Sequence, residues 1–225
     1  MSPNRRAQRY CCRLSAFTLV ELLVIIVVIG VLAGIILPSL NKARIKANAS
    51  QCVDQHRQLG QAYAEYIADH QRPIVRQKMA GNPRNAWERK LLLHAGQDRG
   101  WHCPDCRQGH HGVGYNHALG ELGDLSRVKQ PKSTVVFGDA GLVANPDQAD
   151  PNEWVEKQSV RTLKDAGVFE VPASANWKSK PLRMVNRHLG RGSAVFADGH
   201  VETLPVGEIG FQYEAGHARA LWDSE

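Results

Sequence analysis

The chain has 225 residues, 43% of them hydrophobic and 22% charged, with a formal net charge of +6. The length suits one domain of ordinary size with accessory segments. The charge does not mark a nucleic-acid-binding surface: Arg5, Arg6, Arg9 and Arg13 fall in the first 16 residues, which hold no acid, and beyond them 24 basic residues face 22 acidic ones. A basic segment ahead of an apolar one is a topology signal that stays on the cytoplasmic side of an inserting helix, so no nucleic-acid partner is expected.

Residues 1–16 are polar, basic and punctuated by Pro3. Residues 17–37 are apolar except for Thr18 and Glu21, and Leu22–Leu37 contains only Leu, Ile, Val, Ala and Gly. Twenty-one helical residues at about 1.5 Å each reach roughly 31 Å, close to the bilayer core of about 30 Å. The uninterrupted part, 22–37, reaches only about 24 Å by the same rise. Spanning therefore draws Glu21 toward hydrocarbon, where a carboxylate needs a partner. An ordinary secretory signal fits poorly, because Leu37-Pro38-Ser39-Leu40 offers no small-x-small cleavage site. A plain signal anchor is the simpler alternative.

After Pro38 the pattern becomes amphipathic. Leu40, Ala43, Ala47, Ser50, Val53, Leu59, Tyr63, Tyr66 and Ile67 recur at three- and four-residue steps between polar residues. One long helix, bent at Pro38, is expected from about Phe17 to about Asp69. Residues 70–84 read as a loop. Asn85 can cap a short helix over Ala86–His94, ended by Gly96. Thr134–Phe137 and Ala194–Phe196 read as short strands. Asp198-Gly199 is a two-residue hairpin signal, with 200–204 returning as the second strand and Pro205 closing it. Residues 206–225 read as a covering loop or a loose tail.

The run Ala16-Phe17-Thr18-Leu19-Val20-Glu21-Leu22-Leu23, followed by the apolar block, resembles the precursor signature of type IV pilins and type II secretion pseudopilins. The resemblance implies cleavage by prepilin peptidase between Ala16 and Phe17 and N-methylation of Phe17, leaving 209 residues. The family has Gly before the cut, and this chain has Ala16. Glu21 falls at the fifth mature position and Pro38 at the twenty-second, where the family places its glutamate and its proline. In an assembly, Glu21 of one subunit can neutralise the Phe17 amine of a neighbour, so that two poorly solvated charges become one pair. Gly30-x-x-x-Gly34 adds a face on which helices can approach closely.

His188, nine residues, then Asp198-Gly199 resembles the prepilin-type processing-associated family named for that spacing. Cys52, Leu59, Asp69, the run Trp101-His102-Cys103-Pro104, Tyr115-Asn116, Asp139 and the stretch Ser193–Val201 match it too. Together the two resemblances imply a pilin-like α+β fold: a long transmembrane and amphipathic helix packed on a small antiparallel β-sheet. The implied organisation is a leader at 1–16, a transmembrane helix at 17–37, its amphipathic continuation at 38–70 and an extracytoplasmic α+β domain at 71–225. Asp198 and Gly199 are expected to supply the turn of a hairpin that His188 caps or hydrogen-bonds. A metal or catalytic grouping of His188, Asp198 and His200 is the rival reading.

Cys11 and Cys12 would leave with the leader. An outward-facing domain sits in an oxidising compartment, which favours one disulfide. Cys52–Cys103 is preferred over Cys103–Cys106, because the first pair matches the second family. Cys103-x-x-Cys106-x-x-x-His110-His111, with His102 alongside, has zinc-ligand types but not the usual finger spacing. Nucleophile elbows and phosphate-binding loops are missing from the sequence. The expected protein is therefore no enzyme and carries no metal or cofactor. It is a single-pass inner-membrane subunit, N-terminus cytoplasmic and C-terminal domain periplasmic, in a type II secretion or type IV pilus-like system. Its expected partners are prepilin peptidase, other pilin-like subunits, inner-membrane lipid and secreted cargo. The alternatives are a membrane-tethered binding protein for a ligand or cargo and a metal-dependent surface enzyme.

Overall fold

The computed structural model describes residues 18–72, 74, 86–96, 101–106, 112–122, 125–157 and 167–224. Two compact units divide the chain, residues 1–43 and 44–225, with the boundary inside the first helix. That helix, α1 (Leu19–His70), has 52 residues and runs through Pro38 without a break. The Ala16–Phe17 junction lies outside the described residues.

In the first unit, Thr18 and Glu21 build the helix start. Thr18 donates to Glu21 Oε2 from its backbone N at 2.9 Å and from Oγ1 at 2.8 Å, and Glu21 N donates back to Thr18 Oγ1 at 3.2 Å. This reciprocal capping box satisfies backbone donors that a helix start otherwise leaves orphaned. The large apolar side chains that follow, from Leu19 to Leu37, are exposed all round the helix. The segment is long and apolar enough to cross a membrane.

The second unit is mixed α+β. Among the described residues its strands are β1 (Val113–Asn116), β2 (Val135–Leu142), β3 (Val168–Phe169), β4 (Leu182–Met184), β5 (Gly192–Phe196) and β6 (Val201–Leu204). The order is β3-β1-β2-β5-β6, with β4 also paired to β2. Four of the pairings are antiparallel, but β1 and β3 run parallel. The sheet is therefore mixed rather than purely antiparallel. The parallel strand has only two residues, too short for any periodicity to announce it.

A bulge at Val136 shifts the register between β2 and β5, so Val136 and Phe137 face the same way. Beyond it the alternation resumes and sorts the two covered faces. Phe137 joins Leu59, Tyr63 and Tyr66 of α1, with Tyr63 edge-on to Phe137 at 5.4 Å between ring centroids. Ala140 joins the opposite core of Phe169, Met184, Phe196, Ile209, Phe211 and Trp222. The C-terminal segment is thus a cover and not a loose tail. Val135 N donates to Leu221 O, and Trp222 Nε1 donates to Gly210 O at 2.9 Å.

Three expectations need correction. The first concerns the buried face of α1, which starts at Cys52 and runs through His56, Leu59, Gly60, Ala62, Tyr63 and Tyr66; Leu40, Ala43, Ala47 and Ser50 are exposed. The inward stripe begins with a thiol and an imidazole, which a purely hydrophobic period does not register. The second is the β5–β6 turn, which is one residue wider than expected. Gly199 N donates to Phe196 O, Phe196 N donates to His200 O, and Gly199 takes φ +90°. That is a three-residue loop closed by a glycine in the left-handed region. The third is the short helix α2 (Ala86–Ala95), which extends one residue past His94 before Gly96 turns at φ +58°; Asn85 lies outside the described residues.

Candidate functional site

Cys52, Cys103, Asp139 and His188 come from four segments far apart in sequence and meet in the second unit. All four are buried, and one donor atom from each lies within 4.8 Å of the others. Each arrives for a separate local reason.

Asn48, Cys52 and His56 stand four residues apart in α1 and so share one helix face. Asp139 stands two residues beyond Phe137 in β2, which puts it on the α1 side of the sheet. Cys103 is carried by the loop 101–106. Trp101 anchors that loop by stacking on Trp87 of α2 at 6.2 Å, and Cys106 N donates to Cys103 O at 3.0 Å to close a turn. His188 opens a four-residue turn in which Leu189 and Gly190 take φ +53° and +75°. Its N–H donates to Arg191 O at 2.9 Å, and Arg191 N returns the bond at 3.0 Å. Two successive positive φ values make this a type I′ turn.

Within the cluster, Cys52 Sγ donates to Asp139 Oδ1 at 3.3 Å, and Cys103 Sγ lies 3.2 Å from His188 Nε2. The other His188 nitrogen, Nδ1, sits 3.0 Å from Asp105 Oδ2, off the axis of a well-aligned hydrogen bond. Asn48 Nδ2 donates to the other oxygen of Asp105. His56 Nδ1 lies 3.8 Å from Cys52 Sγ. Ser193 N donates to Asp139 Oδ2 at 2.8 Å, fixing that carboxylate.

Arg187 supplies the opposite charge. Its Nη1 lies 3.3 Å from Asp139 Oδ1 and donates to Gly112 O at 2.7 Å, while Nε and Nη2 grip Glu156 in a fork at 3.1 and 2.6 Å. Gly112, at φ +73°, lets the backbone pass close by: an added Cβ would lie 2.4 Å from Cys106 Sγ. Hydrogen bonds from Cys106 and then Cys52 hold the Cys103 thiol far below its ordinary range, while Cys52 and Cys106 are pushed up.

The sequence reading brought Cys52 and Cys103 together, as a disulfide, but did not bring Asp139 or His188 to them. Neither expected cysteine bond is formed, since Cys52, Cys103 and Cys106 are free thiols. His188 does not cap the Asp198-Gly199 turn; it faces Cys103 and Asp105. Asp198 instead accepts from His200 N at 3.1 Å and pairs with His200 Nδ1 at 2.5 Å. Partial burial works against ionisation of Asp198, but these bonds outweigh it and hold its pKa below the ordinary carboxylate value. Among the described residues, the one grouping of ligand-type donors contains neither Asp198 nor His200. His110 and His111 lie outside the described residues, and His102 is exposed. Asp139 carried no local signal beyond its family match, and Arg187 carried none.

Gly30 and Gly34 lie in the first unit, where an added Cβ would find nothing within 4 Å. Comparison with family models, with curated proteins and with solved structures gave no match to this chain.

Proposed function

We propose that this protein is a membrane-anchored structural subunit of a pilin-like assembly, cut between Ala16 and Phe17 and assembled through α1. The observation that carries the reading is the state of α1 before Pro38. Its apolar side chains are exposed on every side, and the most apolar stretch has no buried share at all. A helix of that kind needs a bilayer or other helices to remove it from water.

The residues at its start fit the same reading. Cutting before Phe17 leaves an amine four residues ahead of Glu21 in the sequence. It leaves Thr18 in place, so the capping box survives processing. Prepilin peptidase, lipid and neighbouring copies are the partners this role requires, and no reaction is assigned to the chain itself.

Intact-mass measurement of the protein recovered from membranes tests the proposal. The expected mass is that of residues 17–225 plus one methyl group on Phe17. A chain still beginning at Met1, with its four leader arginines, overturns it.

A further inference from the structure

We infer that Cys52, Cys103, Asp139 and His188 form a closed, structural zinc site that clamps α1 to the sheet. The donor types come first. Two thiolates and an imidazole are the ligands zinc prefers, and a carboxylate oxygen is an accepted fourth. The spacing follows. Around zinc, with bonds of about 2.0–2.3 Å, tetrahedral ligands stand roughly 3.3–3.8 Å apart. Cys103 Sγ and His188 Nε2 are 3.2 Å apart, and Cys52 Sγ and Asp139 Oδ1 are 3.3 Å apart. Outward shifts of a few tenths of an ångström bring these two pairs to that spacing, and all four donor atoms already lie within 4.8 Å of one another.

The surroundings match on two further counts. A histidine that ligates through one nitrogen commonly turns the other toward a carboxylate, which fixes the tautomer. Here Nε2 faces the cluster and Nδ1 faces Asp105 at 3.0 Å, with Asn48 holding Asp105 in turn. Charge is also partly met. Two thiolates and Asp139 exceed a divalent cation by one negative charge, and the buried Arg187 guanidinium, which Asp139 shares with Glu156, offsets part of it. Binding takes both sulfurs as thiolates, so any thiol proton they hold goes to solvent, and it moves no electrons.

A Cys52–Cys103 disulfide is the competing use of the same sulfurs. It would leave His188 Nε2 without its thiol partner in a buried site, whereas zinc engages all four groups. Because all four positions are filled by protein, no open position remains for substrate, and the site is structural rather than catalytic. It would hold the helix, the 101–106 loop, β2 and the turn before β5 at one point. This role stands apart from membrane anchoring, which depends on the other unit.

The test uses the full chain, purified in detergent and dialysed against a weak chelator. Elemental analysis should find about one zinc per chain. Replacing zinc by Co2+ should give the intense visible bands of a tetrahedral site together with a thiolate charge-transfer band. Cys103→Ser and His188→Ala should abolish both signals, and Cys106→Ser should keep them. Asp105→Asn should keep the ion but weaken it roughly 10- to 100-fold, as loss of an outer partner does. The wild-type measurements do not depend on any variant folding. Failure to take up zinc or cobalt, or recovery of a Cys52–Cys103 disulfide peptide from the wild type, would overturn the inference. Loss of the ion in Cys106→Ser with retention in Asp139→Asn would overturn the assigned ligand set.

Discussion

Gly60 is the point where α1 meets the β5–β6 turn. An added Cβ there would lie 2.8 Å from Gly199 O and 3.1 Å from Val195 Cγ1. Two effects oppose each other in Gly60→Ala. Alanine favours the helix by about 1 kcal/mol over glycine, whereas forcing a methyl into a filled contact costs about 1–3 kcal/mol. The obstacle is a carbonyl oxygen in a turn already fixed by Gly199 at φ +90°, so it has little freedom to yield. The clash wins. Gly60→Ala should lower stability by about 1 kcal/mol, read as an earlier denaturation midpoint by near-ultraviolet circular dichroism of the full chain in detergent. A midpoint at or above wild type would mean that the turn moves aside. Residues of this kind mark where sequence reading stops. Asp198-Gly199 announces a turn by its chemistry, but nothing in the letters around Gly60 says which carbonyl will press on it. The same holds for Asp139 and Arg187, whose partners stand dozens of residues away.

The turn that carries His188 tests an element in the same way. Leu189 adopts φ +53° while its side chain is 64% exposed. A left-handed leucine costs roughly 1–2 kcal/mol, and its exposure leaves little packing to offset that cost. Asparagine visits this region readily, so Leu189→Asn should stabilise the fold by about 0.5–1 kcal/mol without changing the His188–Arg191 pairing. Thermal unfolding of the variant beside wild type checks this, and a lower midpoint would show that the Leu189 side chain contributes packing elsewhere. Elements with their own chemistry were legible. The long helix, Gly96 as a helix stop and the strands at Val135 and Ala194 follow from period, propensity and turn residues. The inward face of α1 was legible at Leu59, Tyr63 and Tyr66, but its start at Cys52 and His56 was not, because neither is a hydrophobic anchor; Cys52 donates to Asp139 and His56 lies beside Cys52. The parallel β1–β3 pair was illegible for another reason: two residues of strand carry no pattern, and only the sheet beside them makes them a strand.

At the scale of the whole molecule, one side chain has two candidate duties that a pair of substitutions can separate. Glu21 closes a capping box with Thr18 inside its own chain. In an assembly it would also carry the charge that neutralises the Phe17 amine of a neighbour. Glutamine serves a capping box nearly as well as glutamate but brings no charge. Valine does neither. If capping were the whole role, Glu21→Gln would assemble like wild type and Glu21→Val alone would fail, with a loss of about 1 kcal/mol at the helix start. Pairing between subunits predicts a different pattern: both variants enter the membrane and are processed, and neither forms higher assemblies. An unpaired ammonium in a low-dielectric helix bundle costs several kcal/mol, far more than a frayed cap, so charge pairing should dominate. Cross-linking in membranes followed by gel separation reads the outcome. A ladder of multimers from Glu21→Gln as intense as that from wild type would sink the pairing and reduce Glu21 to a helix cap.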